Sequence, residues 1–341
     1  MLMLVGLSAI SCASETKNET KNETKDEAKD ETKSVEPLSV EGRYLVDSSG
    51  ERVALHGVSF AWHNWWSEYY NAGCVNELVD VWGADVVRAS MGVEHPGSYC
   101  EKPIWSEQKV CEVVDAAIAK NVYAIIDFHS HSIQKDMAIK FFTKMATKYK
   151  GVPNVIYEIF NEPMNLEWPE VKAYSIEVIK TIRAIEPNAV ILVGTPTWSQ
   201  DVNTAADDPI KGYSNIMYVL HFYAATHKES LREKADYAMA KGLPIFVSEC
   251  AGMEASGDGP IDHESWSTWV KWMDKNSLSW VVWSISSKDE TCSMLTPEAP
   301  VDGMWEQKQQ EHNANVEKEE DKVEYIKPWG KLAKKYLEAY K

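Results

Sequence analysis

From Leu38 onward the chain alternates short apolar runs with longer amphipathic stretches. Eight runs have the β-branched and aromatic make-up of buried strands: 53–59, 84–90, 122–128, 155–160, 189–193, 217–222, 244–249 and 280–285. Between them, apolar positions recur at helical spacing over 75–82, 107–120, 135–149, 168–186, 229–241 and 263–275, with a short stretch near 206–211. A last helix is predicted over 328–340, with Trp329, Leu332, Tyr336, Leu337 and Tyr340 on one face. Ahead of the first run, Ser39 to Val46, then Asp47-Ser-Ser-Gly50, then Arg52 onward carry a hairpin signal. Near-continuous apolar strands, each followed by a helix, predict an α/β protein built as a closed (β/α)8 TIM barrel in one domain. A doubly wound open sheet is the alternative, but no Gly-rich phosphate turn follows the first strand.

One strand stands apart. Val155-Ile-Tyr-Glu-Ile-Phe-Asn-Glu-Pro163 runs as a buried strand and stops at Pro163, which cannot continue a central strand. Glu162 is therefore expected at the strand's C-terminal tip, sharing a face with Phe160 and Glu158. An ionisable group at the mouth of an apolar strand is costly unless used or paired. Alone, Glu162 reads as well as a chance loop carboxylate. Pro244-Ile-Phe-Val-Ser-Glu249 repeats the grammar, however, and two strands that both end in Glu point to paired carboxylates, the machinery of glycoside hydrolysis.

Barrel chemistry gathers at C-terminal strand ends. Those ends supply Arg88, His129, Asn161 and Glu162, His221 and Tyr223, Glu249, and Trp283. Parity points them inward: Val86 with Arg88, Asp127 with His129, Val219 with His221 and Tyr223, Val247 with Glu249, Val281 with Trp283. Each alone has a dull reading, a satisfied histidine or a core tryptophan. Their joint occurrence at one mouth does not.

Composition narrows the function. The net charge of −17 argues against nucleic acid, which needs a basic footprint. The 14 tryptophans include core residues and candidates for stacking on sugar rings. Residues 1–12 read as a signal segment ending in lipobox-like Ala9-Ile-Ser-Cys12, although no Lys or Arg precedes the apolar run and Ala9 stands where Leu is usual. The only membrane link expected is a lipid on Cys12. Residues 13–37 repeat Glu-Thr-Lys-Asn/Asp with like charges four apart and no apolar face, which predicts a disordered tether reaching on the order of 25 Å. The folded domain is expected over 38–341. Cys74 and Cys100 fall in loops above adjacent strands and could pair; Cys250, opposite in parity to Glu249, should face a helix. The acidic segment 297–326, with Trp305, either shapes a cleft or is solvated, and solvation is the favoured reading.

Ile156-Tyr-Glu-Ile-Phe-Asn-Glu-Pro163, Ile125-Ile-Asp-Phe-His129, His221-Phe-Tyr223, Val247-Ser-Glu249 and Trp283-Ser-Ile-Ser-Ser-Lys-Asp-Glu290 resemble glycoside hydrolase family 5, in its bacterial endoglucanase branch, over residues 38–341. The resemblance implies a (β/α)8 barrel and retaining hydrolysis of β-1,4-glucan. It implies Glu162 as acid/base and Glu249 as nucleophile, with Arg88, His129, Asn161, His221 and Tyr223 around them. Trp283, Lys288 and Glu290 would form the sugar-binding wall. The first loop, Phe60-Ala-Trp-His-Asn-Trp-Trp66, departs from the family's Ser-x-His-Gly pattern, so Trp62, His63, Trp65 or Trp66 would supply the platform there. Ser287 stands where Asp is common.

The residue chemistry suits these roles. Arg88 and the Tyr223 hydroxyl would keep Glu249 ionised, and His221 with Phe160 would tune Glu162. Asn161 would bond a sugar 2-hydroxyl, and Glu158 would be a buried, paired support. A metal held by His129 and His131 is a weaker alternative, so neither metal nor cofactor is expected. The expected partner is a β-glucan polysaccharide, with mannan, xyloglucan or mixed-linkage glucan as alternatives for the same chemistry. A non-catalytic glycan-binding protein is the reading from another class. The protein is expected to be monomeric, and secreted or carried on the cell surface as a lipoprotein.

Overall fold

The computed structural model describes residues 35–341. The signal-like segment with Cys12, and nearly all of the charged repeat, lie outside the described residues.

The chain opens with strands β1 (Ser39–Glu41) and β2 (Tyr44–Val46), which pair antiparallel. Gly42 sits in the turn at φ +59°, where a side chain would be strained. The hairpin forms one turn earlier than the sequence predicts: Ser39 to Val46 is itself the hairpin, and the Asp47–Gly50 turn adds only a bridge between Val46 and Arg52. Val35–Pro37, assigned from sequence to the tether, belong to the folded body. Val35 packs on the barrel's inner core, and the Glu36 carbonyl accepts from the Tyr123 hydroxyl at 2.7 Å.

Eight parallel strands follow and close into a barrel: β3 (His56–Phe60), β4 (Val86–Gly92), β5 (Tyr123–His129), β6 (Val155–Glu158), β7 (Ile191–Val193), β8 (Ile216–Tyr223), β9 (Ile245–Ala251) and β10 (Trp280–Ile285). They pair in sequence order, and β10 closes on β3. Helices α1 (Ala72–Asn76, running into a π-helical turn at Glu77–Val81), α2 (Pro103–Ala119), α3 (Lys135–Lys148) and α4 (Trp168–Arg183) alternate with the first strands. The later ones are α5 (Pro196–Ser199), α6 (Val202–Asp207), α7 (Glu229–Ala240), α8 (His263–Asn276), α9 (Trp305–Ala314) and α10 (Pro328–Leu337). The short helix expected near 206–211 begins earlier, at Val202.

Local signals explain the helices. In α4, Glu167 and Glu170 form a reciprocal capping box, and Val171, Tyr174, Ser175, Val178 and Ile182 make the buried stripe. In α8, the Asp262 side chain accepts from the Ser265 amide. The main core lies between barrel and helices. A smaller one, with Val86, Ile125, Ile156, Leu192, Val219, Phe246 and Val281, fills the barrel, and Leu38 and Leu45 of the N-terminal hairpin region pack on it. Above that apolar plug, toward the C-terminal strand ends, the interior turns polar.

Segment 297–326 differs in part from expectation. Helix α9 is mostly exposed, but Trp305 is fully buried, edge-on to Trp82 with centroids 5.7 Å apart, and donates from Nε1 to the Pro300 carbonyl at 2.7 Å. No residue of the segment lines the main cleft. All five described cysteines are free, so Cys74 and Cys100 do not pair. Cys250 faces the helix layer as expected.

Candidate active site

Arg88, on β4, is the centre of the polar layer and has no solvent exposure. Its Nε and Nη2 donate to the two oxygens of Glu158 at 2.8 and 3.0 Å. Nη2 also meets Asp127 Oδ2 at 2.9 Å and Asn161 Oδ1 at 2.7 Å, and Nη1 donates to Glu249 Oε2 at 3.1 Å. A buried cation needs such a shell, and the planar guanidinium can serve several acceptors at once. Glu158 is thus the buried, paired support expected of it.

Glu249 accepts at its other oxygen from the Tyr223 hydroxyl, 2.8 Å away. Burial pushes its carboxyl above the usual range and the charge of Glu162 adds to this; His221, Arg88 and Tyr223 pull the other way. Glu162 faces it, with His221 Nδ1 at 3.0 Å from Oε1 and His131 Nε2 at 3.3 Å from Oε2. Burial would raise the Glu162 pKa, but the two imidazoles hold it down to about 2. His221 moves the opposite way. Burial would lower it, yet Glu158 and Glu162 raise it to about 9. Its Nε2 is 3.0 Å from Ser248 Oγ, which donates to Glu158 Oε1 at 2.8 Å. Near neutral pH this group therefore carries a proton on the imidazole side of the Glu162–His221 hydrogen bond.

Two sequence expectations fail here for backbone reasons. Strand β6 ends at Glu158, so alternation does not continue to Glu162. Phe160 turns out to the helix layer, packed edge-on to Tyr174, and does not lie beneath Glu162. On β9 an extra residue sits between the pairs Val219↔Phe246 and His221↔Glu249. Because of that bulge the inward neighbour below is Phe246, whereas Val247 joins the outer core.

The cleft has two parts that share Glu162, Tyr223, Glu249 and Ala255. The larger, about 580 Å³, is walled by Trp62, Trp65, Trp66, His129, Trp283, Lys288 and Glu290. His129 gives Nδ1 to Asp127 at 2.6 Å and lies between Trp283 (stacked, 5.3 Å) and the edge of Trp62 (4.3 Å). Lys288 pairs with Glu290. The smaller part, about 440 Å³, is walled by Trp198, Gln200 and His227.

His63 is the candidate that the structure removes from the site. It is fully buried, its Nδ1 accepts from the Gly92 amide at 3.0 Å, and its Nε2 bonds Ser106 Oγ at 2.7 Å. It anchors the first loop, and burial lowers its pKa to about 3. Sequence reasoning missed Trp198, Gln200 and His131 as parts of the site. Strand β7 ends at Val193, and the signal there is Thr195-Pro-Thr-Trp198, a tryptophan shortly past a strand end. In sequence His129 and His131, two apart, read as a metal pair, but the two rings stand at 81° and His131 turns to Glu162 instead. Glu162, His221 and Glu249 bring three potential donor atoms within 4.8 Å of one another. Each of these side chains is already engaged by a protein hydrogen-bond partner, so the arrangement reads as a proton-transfer group and not a metal centre.

The comparisons agree with this geometry. The family model described as Cellulase (glycosyl hydrolase family 5) matches residues 46–289. The chain is similar to Endoglucanase Z of Dickeya dadantii, 45% identical over 78% of this chain and 63% of that protein. It is also similar to an endoglucanase of Clostridium saccharobutylicum, 41% identical over 79% of this chain and 61% of that one. The chain thus spans a little under two thirds of these relatives' lengths. Among solved structures, one from Cytophaga hutchinsonii superposes with TM-score 0.82 at 41% identity, covering 89% of this chain and 95% of that one. The catalytic domain of a Thermobifida fusca endoglucanase superposes with TM-score 0.79 at 28% identity, over 89% and 97% of the two chains. With the family model spanning most of the barrel, and the barrel itself closed as in these structures, the chain belongs to the cellulase family, glycosyl hydrolase family 5.

Proposed function

We propose that this chain is a retaining endo-β-1,4-glucanase that cleaves cellulose or a related β-glucan by double displacement. The observation that carries this reading is the approach of a Glu162 oxygen and a Glu249 oxygen to within 4.8 Å, midway along a cleft that continues on both sides. Retaining enzymes hold their carboxyl groups about 5–5.5 Å apart, whereas inverting enzymes need about 6.5–9.5 Å to seat a water. A cleft continuing past the carboxylates on both sides suits attack within a chain.

In this reading Glu249 is the nucleophile. Both protein groups bonded to it, Arg88 and Tyr223, are donors, and donors stabilise the ionised carboxylate that attacks the anomeric carbon. Glu162 is the acid and then the base. The protonated His221, one hydrogen bond away, holds the carboxyl in place, and the carboxyl passes a proton to the departing oxygen as charge develops there. Asn161 Nδ2 is buried without a partner among the described residues, and its donor suits a sugar 2-hydroxyl or the oxygen of Glu249 during attack. Trp62, Trp65, Trp66 and Trp283 offer faces to sugar rings, with Lys288 and Glu290 as polar contacts; Trp198 does the same across the scissile position. A pure glycan-binding role would leave the fully bonded Glu162–Glu249 pair without a use.

The test is a panel of soluble polysaccharides. Hydroxyethyl-cellulose should lose viscosity well before reducing ends accumulate. A mannan rate well above the cellulose-derivative rate would overturn the glucan assignment.

The same proposal extends to the N-terminus: export, a lipid on Cys12, and a monomer tethered through the charged repeat of 13–34. Its support is the apolar run before Ala9-Ile-Ser-Cys12. Among the described residues no helix is long and apolar enough to cross a membrane. Incorporation of labelled palmitate, lost in Cys12→Ala, tests the lipid.

A further inference from the structure

His131 is gripped from four directions. Glu94, in the loop after β4, uses Oε1 to accept from the His131 amide at 3.2 Å, the Ser132 amide at 3.1 Å and the Ser132 hydroxyl at 2.9 Å. The peptide carrying Glu162 is tied to the same loop: the Glu162 amide donates to the Ser130 carbonyl at 3.2 Å, and the Met164 amide to the His131 carbonyl at 3.1 Å. Trp62 lies over the imidazole at 5.6 Å and 25°. The free end of the ring, Nε2, reaches Glu162 Oε2 at 3.3 Å. So elaborate a hold on one half-buried loop histidine is not needed for packing. It fixes where that nitrogen stands.

We propose that His131 is a positioning residue for the acid/base, storing on Nε2 the proton that Glu162 passes to the leaving oxygen. This rests on the reading of Glu162 as acid/base. In the glycosylation step a proton leaves His131 Nε2 for the Glu162 carboxyl, and the carboxyl gives a proton to the glycosidic oxygen. The bond from the anomeric carbon to that oxygen breaks, its electron pair stays on the oxygen, and Glu249 forms the new bond to carbon. In deglycosylation Glu162 takes a proton from the attacking water and returns it to imidazole, so the cycle is balanced.

Several charged or titratable groups face this pair. Glu94 comes from the loop after β4 and His129 from β5, with its ring 6.1 Å from that of His131. His221 and Tyr223 come from β8, His227 from the loop that follows it, and Glu249 from β9 with Arg88 behind it. Burial would lower the His131 pKa, but Glu162, Glu94 and Glu249 together raise it. Glu162 itself is held low. With His221 keeping its own proton, the further proton of the group is lost, while His131 is present, only as His131 titrates. Without His131 that proton must sit on Glu162, and it leaves at lower pH.

The experiment compares the full chain with H131Q, E94Q and E162A, as pH profiles of kcat/KM on hydroxyethyl-cellulose and on 2,4-dinitrophenyl β-cellobioside. The aryl leaving group needs no protonation, so it reports the nucleophile alone. In H131Q the alkaline limb on hydroxyethyl-cellulose should move toward acid by about one pH unit or more, while the limb on the aryl substrate stays. E94Q, which removes a carboxylate facing His131, should move the same limb the same way by a smaller step, and decides the matter if H131Q does not fold. A uniform loss at all pH values with unmoved limbs in both variants would mean a merely structural role and overturn the proposal. E162A separates the two readings. If it still cleaves hydroxyethyl-cellulose at the full-chain rate, the acid/base assignment itself is wrong. If it does not and the H131Q limb is unmoved, only the role of His131 falls.

Discussion

Arg88 Nη1 donates to Glu249 Oε2 at 3.1 Å while the rest of the same guanidinium is committed to Glu158, Asp127 and Asn161. Position and charge of Glu249, the proposed nucleophile, therefore depend on a side chain that also holds the buried layer together. Arg88→Met leaves carboxylates buried without their cation and should lower unfolding free energy by roughly 3–5 kcal/mol, read from denaturant titration. Arg88→Lys keeps the charge but cannot span the four acceptors. It should fold and lose kcat on glucan; wild-type kcat in that variant would show that the fork is not needed.

The two carboxylates can be told apart chemically. Glu162→Ala removes the proposed proton donor and keeps the proposed nucleophile, so an aryl glycoside should still form the glycosyl-enzyme, and deglycosylation should lag. Azide, which needs no base, should restore turnover and yield a β-glycosyl azide. In Glu249→Ala the gap lies on the other face of the sugar and azide should give the α-product. Exchange of the two products between the variants would mean the roles are reversed.

Stability should show the Glu162–His221 pair as a window in pH. The Glu162 pKa is depressed from 4.5 to about 2, so its contribution is complete above pH 4.5 and is lost as pH falls toward 2. The His221 pKa is raised from 6.5 to about 9, so its contribution is complete below pH 6.5 and is lost as pH rises through 9. Calorimetry from pH 5 to 10 should find Tm falling between pH 6.5 and 9. In His221→Asn that decline should shrink; an unchanged decline would place its source elsewhere.

Trp305 gives a control remote from the chemistry. It fills a fully buried site against Trp82, away from the cleft. Trp305→Ala should cost roughly 3–5 kcal/mol of stability. Below its melting range it should hydrolyse glucan with unchanged kcat, measured by initial rates at low temperature. A fall in kcat there would give the segment a part in shaping the cleft.

The eight barrel strands were legible because buried parallel strands are short, nearly continuous apolar runs that no other element imitates at that spacing. Arg88, His129, Asn161, Glu162, His221, Tyr223 and Glu249 followed from asking what each strand presents at its C-terminal end. Extrapolation by alternation failed at two places. One was beyond Glu158, where β6 stops and Phe160 turns to Tyr174; the other was β9, where a bulge exchanges Val247 for Phe246. A bulge leaves no mark in residue type. His63 and Trp305 misled for another reason: a polar or aromatic residue in a loop looks the same in sequence whether it faces the cleft or anchors the loop from below. His131 carries a signal, two histidines two apart at a strand end, but only the fold shows that its partner is Glu162.

The central claim is that Glu162 and Glu249 act by double displacement, and the stereochemistry of the first product tests it most directly. Proton NMR of a cello-oligosaccharide digest, recorded before mutarotation mixes the anomers, should show the β-anomer rising first. An α-anomer appearing first would mean direct displacement by water, and would contradict the account.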